Sequence, residues 1–478
     1  MSGLRSVTSL SRQSNSVLRQ ASSYRGLSRL SPAASTFPAL AQHKPWPAAA
    51  LTSGTMAGSW VGPRRCFASE SDGKELGKTP LYHLHVTHGA KMVPFGGFHM
   101  PVQYSSKSVS ASHHFTRERA SLFDVSHMVQ RRFSGRGAAA FLELVTPSGI
   151  ADLAVHHSTL TTLLHRGTGG IVDDCIVTRL DDHLFYVVTN AACRDKDDAY
   201  FAKELAAWAK SHSGAAATAV EHEILAYRGL VALQGPLSAE ILTGILAEPA
   251  EVDVPSLHFG TSRFGQVRLL GMEVSSPLLI SRGGYTGEDG FEISIPADET
   301  TPVVEALLAW AGPDRLALAG LGARDSLRLE AGMCLYGHDL DDSTTPVEAG
   351  LAWVIPKARR RADAGFHGAE VVVPSLTLKS KGGAGVERRR VGLVVEGAPA
   401  REGAEIVGGE DGGEKLGVVT SGCPSPTLGK NIAMGYIKDG FHKAGTEVAV
   451  LVRGKPRKAV VTKMPFVPTK YWKGSAPA

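Results

Sequence analysis

Two adjacent carboxylates interrupt an otherwise apolar stretch at Gly169-Gly170-Ile171-Val172-Asp173-Asp174-Cys175-Ile176-Val177. The glycine pair marks a turn, and the Ile, Val and Cys residues around the acids predict a buried strand. Taking an ionised carboxylate out of water without a partner costs several kcal/mol. These acids are therefore paired, left at a solvated turn, or used for chemistry, and the local sequence leaves all three readings open. In an extended segment neighbouring side chains point to opposite faces, so only one of the two can enter a cavity. Another carboxylate, Glu292, follows a glycine-rich turn over 283–290. A period of two puts Phe291, Ile293 and Ile295 on one face of that strand, with Glu292 and Ser294 on the other. Glu292 then faces either solvent or a ligand cavity. Arg324 falls in the first turn of a predicted helix over 321–331, where the helix dipole disfavours a cation. It is either held there for an anion or a carbonyl, or is a plain surface arginine.

Other constellations lead nowhere. Asp124, Ser126 and His127 carry the residue types of a hydrolase triad, yet lie too close in sequence to take its three roles, and G-x-S-x-G is absent. The 283–290 turn matches neither a dinucleotide fingerprint nor a P-loop. His83, His85, His88 and His99 lack nearby acids, which favours turn and surface histidines over a metal site. Cys66, Cys175, Cys193, Cys334 and Cys423 show no C-x-x-C spacing, so they fit neither a disulfide framework nor a zinc site.

The elements that must position these groups fill a chain of 478 residues, long enough for two or three domains. The formal net charge is +5, but no Asp or Glu precedes Glu70, while Arg5, Arg12, Arg19, Arg25, Arg29, Lys44, Arg64 and Arg65 do. Removing these eight charges leaves about −3 for the remainder, which argues against nucleic acid as a partner. An Arg- and Ser-rich, acid-free leader is the composition of an organelle transit peptide, and Arg65-Cys66-Phe67 before Ala68-Ser69 fits a mitochondrial processing site. The matrix is the expected destination, with a plastid as the competitor. No apolar run is long enough to span a membrane. A strand is predicted over 183–190. Helices are predicted from about Asp195, with Phe201, Leu205 and Trp208 on one face, and after Gln234-Gly235-Pro236, with Leu237, Ile241 and Ile245. Short apolar runs at 391–395, 416–420, 432–437, 446–452 and 459–462 predict a small β-barrel. Arg359-Arg360-Arg361 opens a polar, glycine-rich stretch that reads as a linker, its charge run as a solvated face or a docking patch.

Phe-Asp-Val-Ser-His-Met (123–128), Gly-Gly-Ile-Val-Asp-Asp (169–174), Ala-Leu-Gln-Gly-Pro (232–236) and Gly-Tyr-Thr-Gly-Glu-Asp-Gly (284–290) are joined by three later motifs. These are Ala-Arg-Asp-Ser-Leu-Arg-Leu-Glu-Ala-Gly (323–332), Thr-Ser-Gly-Cys-Pro-Ser-Pro (420–426) and Lys-Met-Pro-Phe-Val-Pro (463–468). In this order, from about Thr79 to Trp472, they resemble the aminomethyltransferase family, the T-proteins of the glycine cleavage system. The resemblance implies an α+β fold, with a folate-binding α/β region of two interleaved subdomains and a C-terminal β-barrel as three lobes around a central folate cavity. It divides the chain into a transit peptide (1–67), the catalytic region (76–356), a linker or loop (357–388) and the barrel (389–472). It implies transfer of the aminomethyl carbon from the lipoyl arm of H-protein to tetrahydrofolate, giving 5,10-methylenetetrahydrofolate, ammonia and dihydrolipoyl H-protein. No metal, flavin, nucleic acid or membrane enters that reaction. Asp174 matches the family's catalytic aspartate, and Glu292 its pterin ligand. Arg324 and Tyr471 match further folate contacts, and Leu160, Val188, Asn190, Tyr285 and Trp353 match the cavity lining. Two alternatives share this fold. The folate half of a sarcosine or dimethylglycine dehydrogenase would place a flavin domain where this chain has its leader. A folate-binding iron–sulfur assembly factor would carry Lys-Gly-Cys-Tyr-x-Gly-Gln-Glu, which the stretch 329–339 lacks.

Overall fold

A computed structural model describes residues 75–212, 218–361, 363–409 and 413–474. The expected transit peptide and its processing site lie outside the described residues. Helix α1 (Tyr82–Thr87) leads into a hairpin of β1 (Ala90–Phe95) and β2 (Phe98–Tyr104), turned by Gly96 and Gly97 at positive φ. Helix α2 (Val109–Glu118) starts where the Ser108 side chain accepts from the Ala111 N–H, and β3 (Ala120–Asp124) follows it.

The chain then builds a separate layer before returning. Strands β4 (Val129–Ser134), β5 (Ser158–Leu164), β6 (Ile171–Asp181), β7 (Leu184–Thr189) and β8 (Glu221–Ile224) form a sheet in the order β5-β6-β7-β4-β8. Helices α3 (Ala138–Val145) and α4 (Arg194–Ser211) cover its outer face, where Phe133, Phe141, Cys175, Val177, Phe185 and Phe201 form one core. Each such large apolar side chain contributes about 1.5–3 kcal/mol on burial. Six-stranded order β10-β11-β12-β9-β3-β13 is then completed by β9 (Arg228–Gln234), β10 (Thr261–Gly265), β11 (Leu278–Arg282), β12 (Gly290–Pro296) and β13 (Leu316–Leu318). Because β3 pairs with β9 across the intervening sheet, the two subdomains are interleaved. Helices α5 (Ser238–Ile245) and α6 (Ala297–Ala311) pack on the outer face through Ile241, Leu242, Val303 and Leu307.

The inner faces of the two sheets meet. Tyr186 and Val188 of β7 pack with Leu230 and Ala232 of β9, Leu279 of β11, and Ala323 and Leu327 of helix α7 (Leu321–Glu330). Strands β14 (Arg388–Val395), β15 (Glu405–Val407), β16 (Lys415–Ser425), β17 (Lys430–Lys438), β18 (Glu447–Val452) and β19 (Lys455–Thr462) close a barrel in the order β14-β17-β16-β15-β18-β19. The sequence pattern misses β15, whose three residues are too few to show alternation.

Three sequence expectations need correction. The linker over 357–388 contains helix α8 (Ala369–Ser375), and its Phe366, Ala369, Val372 and Val386 share a core with Leu164 and Ile171. In the Arg359–Arg361 run only Arg359 is drawn in, while Arg360 and Arg361 stay exposed as a solvated charge run would. Arg359 donates to the Glu143 carbonyl at 2.5 Å, Arg360 to the carbonyls of Ile355 and Ala352, and Arg361 pairs with Asp363. Among the four early histidines, His85 is fully buried and bonded to Asp124 at 2.8 Å, because the short helix α1 turns it inward.

Candidate active site

Strand β6 decides which acid goes where. Its register with β5 shifts at Leu163 and Leu164, which pair with Asp173 and Ile171, so β6 holds one extra residue just ahead of the acids. Beyond that bulge Asp173, Cys175 and Val177 turn toward the α3–α4 core, while Asp174, Ile176 and Thr178 turn toward the six-stranded sheet. Asn190, directly after β7, ties the pair together. Its main-chain N–H donates to Asp173 Oδ2 at 2.8 Å, and its side-chain Nδ2 donates to Asp173 Oδ1 and Asp174 Oδ1, both at 2.9 Å. Besides that amide, the Asp174 carboxyl meets its own main-chain N–H. Burial, with the Asp173 charge next, pushes the Asp174 carboxyl up to about 7, against the Asn190 hydrogen bond.

Two residues further along the same face the strand lines a cavity. Ile176, Thr178, Tyr186, Val188, Leu230, Leu279, Ser281, Glu292 and Ser294 enclose it. Glu292 projects from β12 on the face opposite Phe291 and Ile293, which lie in the outer core. No described residue donates a hydrogen bond to its carboxylate. Burial raises its pKa, and the charge of Arg324 opposes that rise. Arg324 stands in the first turn of α7 with its guanidinium 4.7 Å from the Tyr285 ring, and its buried Nη1 has no hydrogen-bond partner. The Tyr285 hydroxyl donates to the Cys334 carbonyl, and its ring also lies within electrostatic reach of Asp174. Electrostatic contacts thus link Asp174 to Tyr285, Tyr285 to Arg324 and Arg324 to Glu292, and of these Glu292 lines the cavity.

Tyr471 lies in the C-terminal segment, and no described contact joins it to a residue lining the cavity. Lys470 N–H donates to the Gly287 carbonyl at 2.8 Å, and the Tyr471 ring stacks on Phe259 at 4.2 Å with its buried hydroxyl unpartnered. Leu160 pairs in register with Ile176, and Ile176 with Val188, across three strands. Trp353 rides on a short 3-10 turn, Ala352–Val354, with 61% of its surface exposed, and no described contact joins it to the cavity. Sequence reasoning missed Ile176, Thr178, Tyr186, Leu230, Leu279 and Ser281 as lining residues. Ile176 and Thr178 were recoverable by counting two and four residues on from Asp174. Asp124 does not belong to the cavity. Thr79 Oγ1, His85 Nε2 and the Ser126 N–H donate to it at 2.7, 2.8 and 2.9 Å. Burial pushes its pKa up, but those donors outweigh burial and hold it low. No group of three or more His, Cys, Asp or Glu that could hold a metal occurs among the described residues.

Comparison with known proteins bears on this geometry. Residues 81–359 match the GCVT N-terminal domain, and residues 388–468 match the glycine cleavage T-protein C-terminal barrel domain. The chain is 46% identical over 406 residues to a probable mitochondrial aminomethyltransferase of Schizosaccharomyces pombe, covering 85% of this chain and 97% of the relative. It is 47% identical over 412 residues to the mitochondrial aminomethyltransferase of Pisum sativum (86% and 94% covered), and 45% identical over 397 residues to that of Mus musculus (83% and 91% covered). A crystal structure of the glycine cleavage system aminomethyltransferase T from Bartonella henselae superposes with a TM-score of 0.71 at 37% identity, covering 84% of this chain and all of that one.

Proposed function

The chain belongs to the aminomethyltransferase family of the glycine cleavage system, and from that premise we propose that Asp174 is its catalytic acid–base group and that Glu292, Arg324 and Tyr471 hold its folate. Its reaction is tetrahydrofolate-dependent aminomethyl transfer, carried out in mitochondria. The observation that carries the residue assignment is a set of buried groups left without partners. Arg324 Nη1 and the Tyr471 hydroxyl have none among the described residues, the Glu292 carboxylate lines the cavity under the charge of Arg324, and Asp174 accepts the Asn190 amide through Oδ1. Buried polar groups without partners are rare in native proteins and await a ligand that supplies them.

The roles follow from donor and acceptor types. Glu292 accepts two parallel hydrogen bonds from the 2-amino group and ring N3–H of the pterin. Arg324 faces the anionic glutamyl end or a ring carbonyl, and Tyr471 adds a ring and a hydroxyl. In the transfer, two carbon–nitrogen bonds form to N5 and N10, and the bonds from that carbon to ammonia and to the lipoyl sulfur break. The two protons leaving N5 and N10 balance those needed by ammonia and the thiol. Asp174, poised near neutrality, accepts a hydrogen bond from N10–H and passes its proton onward. Its anion faces the positive charge that develops on the transferred carbon. Ile176, Val188, Leu230 and Leu279 keep the site dry, which strengthens each of these interactions. The lipoylated H-protein brings the carbon, and the Arg-rich leader directs the chain to the matrix.

Incubating the protein with aminomethylated H-protein and tetrahydrofolate should release ammonia at least a hundredfold faster than H-protein with folate alone, the usual scale of acid–base help. Release at the uncatalysed rate, or release that needs no folate, would contradict the reading.

A further inference from the structure

Several buried acids take no part in the transfer, and one of them lies beside the Asp173–Asp174 pair. Asp197, in the first turn of α4, is fully buried behind β6, and so is Asp173. The two carboxyl groups stand near enough for each to bear on the other's ionisation. Neither Asp197 oxygen accepts a well-formed hydrogen bond from an N–H or O–H of the described residues, although the Thr189 hydroxyl stands beside it. Two carboxyl groups share a hydrogen bond only if one of them carries a proton. Asp173 already receives the Asn190 main-chain N–H at 2.8 Å and Nδ2 at 2.9 Å, with the Cys193 thiol as a further donor. These donors favour its anion, and Asp197 has no comparable set.

We infer that Asp197 is a positioning residue for aminomethyl transfer: it donates its proton to Asp173, Asp173 fixes both N–H groups of Asn190, and Asn190 aims Asp174 into the cavity. This rests on Asp174 being the catalytic group. The surroundings include charges of both signs. Arg131 of β4, fully buried, donates through Nη1 to Asp198 at 2.5 Å and through Nε to Thr189 Oγ1 at 3.2 Å. Its charge and the α4 first turn favour an anion at Asp197. Burial, with the Asp173 charge next, outweighs them and pushes Asp197 up to about 9. Asp174 and Cys175 of β6, Cys193, Tyr200 of α4, and Tyr336 complete the titratable groups facing the Asp173–Asp197 pair. A neutral Asp197 also spares Asp174 another negative neighbour, which would otherwise push its pKa higher still.

Infrared spectroscopy of the full protein, as the difference between the parent and each variant, reads the proton directly. The parent should show a carboxylic-acid C=O band that persists in Asp174→Asn and is lost in Asp197→Asn. Kinetics read the positioning. Asp197→Ala should lower kcat about tenfold with the KM for tetrahydrofolate unchanged, because misaimed groups lose rate rather than ground-state binding. Asp197→Asn should recover most of that loss, since its amide N–H donates to Asp173 as the acid proton does. No band, a band surviving in Asp197→Asn, parent-like kcat in folded Asp197→Ala, or equal loss in both variants would overturn the inference. If Asp197→Ala fails to fold by thermal melting, the band and the Asp197→Asn kinetics still decide. An active Asp174→Asn would sink the catalytic reading itself. An inactive Asp174→Asn beside an indifferent Asp197→Ala would sink only the positioning role.

Discussion

Asp173 and Asp174 are chain neighbours with opposite surroundings, because an extended backbone sends successive side chains to opposite faces. One is clamped by the Asn190 main-chain N–H and side-chain amide, and the other accepts that same amide from the face turned toward the six-stranded sheet. Acid-cluster titration should appear in the kinetics. Asp174 must be ionised to accept a proton, so kcat/KM should fall as pH drops below about 7, measured from pH 5 to 9. That apparent value belongs to the coupled acids rather than to one of them. The same shift acts on stability in the opposite sense. A raised carboxyl pKa gives stability that is full below the unfolded value near 3.9 and is lost as pH rises through about 7. Glu292 gives a second residue-scale test. Glu292→Ala should weaken folate binding by roughly 1.5–3 kcal/mol, the usual worth of hydrogen bonds to a charged group. An unchanged dissociation constant by calorimetric titration would remove it from the pterin site. The facing of Glu292 was legible from alternation along 291–295. Asp197 was not, because an acid in a helix's first turn ordinarily reads as a solvated dipole partner.

At the scale of elements, the turn into β6 is built as closely as the acids it delivers. A Cβ on Gly170 would lie 1.9 Å from the Asp342 carbonyl oxygen, so a side chain there must displace backbone. Gly170→Ala should therefore cost about 1–3 kcal/mol in stability and also slow turnover, since the turn sets the register of Asp173 and Asp174. Parent-like melting and kinetics would show that the turn has slack. Helix α7 is the other fixed element, carrying Arg324 at one end and an ionic anchor at the other. Its Glu330 receives Arg117 Nη2 at 2.7 Å, Ser425 Oγ at 2.5 Å and Thr427 Oγ1 at 2.8 Å, and ion-pairs with His113 at 3.1 Å. Burial raises the Glu330 pKa, but those partners outweigh it and hold it down at about 2. A depressed carboxylate gives stability that is present above the unfolded value near 4.3 and lost as pH falls through about 2. Glu330→Gln should thus melt lower than the parent at pH 7, and the gap should narrow between about pH 4 and 2. A gap independent of pH would assign the loss to packing instead. None of this anchoring was visible in the sequence, because its partners lie up to 314 residues from one another in helix, turn and barrel.

Across the whole molecule, long-range pairings do what local patterns cannot announce. The strand pattern foretold a barrel and the motifs foretold interleaving, but the β3–β9 pairing that interleaves the sheets depends on two segments more than 100 residues apart. The stretch 357–388 misled because glycine and charge read as linker, whereas its few apolar residues close a core behind β6. Two sheets thus enclose one cavity, with the charge of Arg324 from α7 acting on Glu292 inside it, and the account stands or falls on what Asp174 does. The most direct measurement is single-turnover ammonia release by Asp174→Asn with aminomethylated H-protein and tetrahydrofolate, alongside folate binding and thermal melting. The substitution keeps shape and an acceptor oxygen but removes the charge, so folate should bind nearly as in the parent while release slows by about 10²-fold or more. Release at near the parent rate, with Asp124→Asn folded but inactive, would move the chemistry to Asp124 and contradict the account.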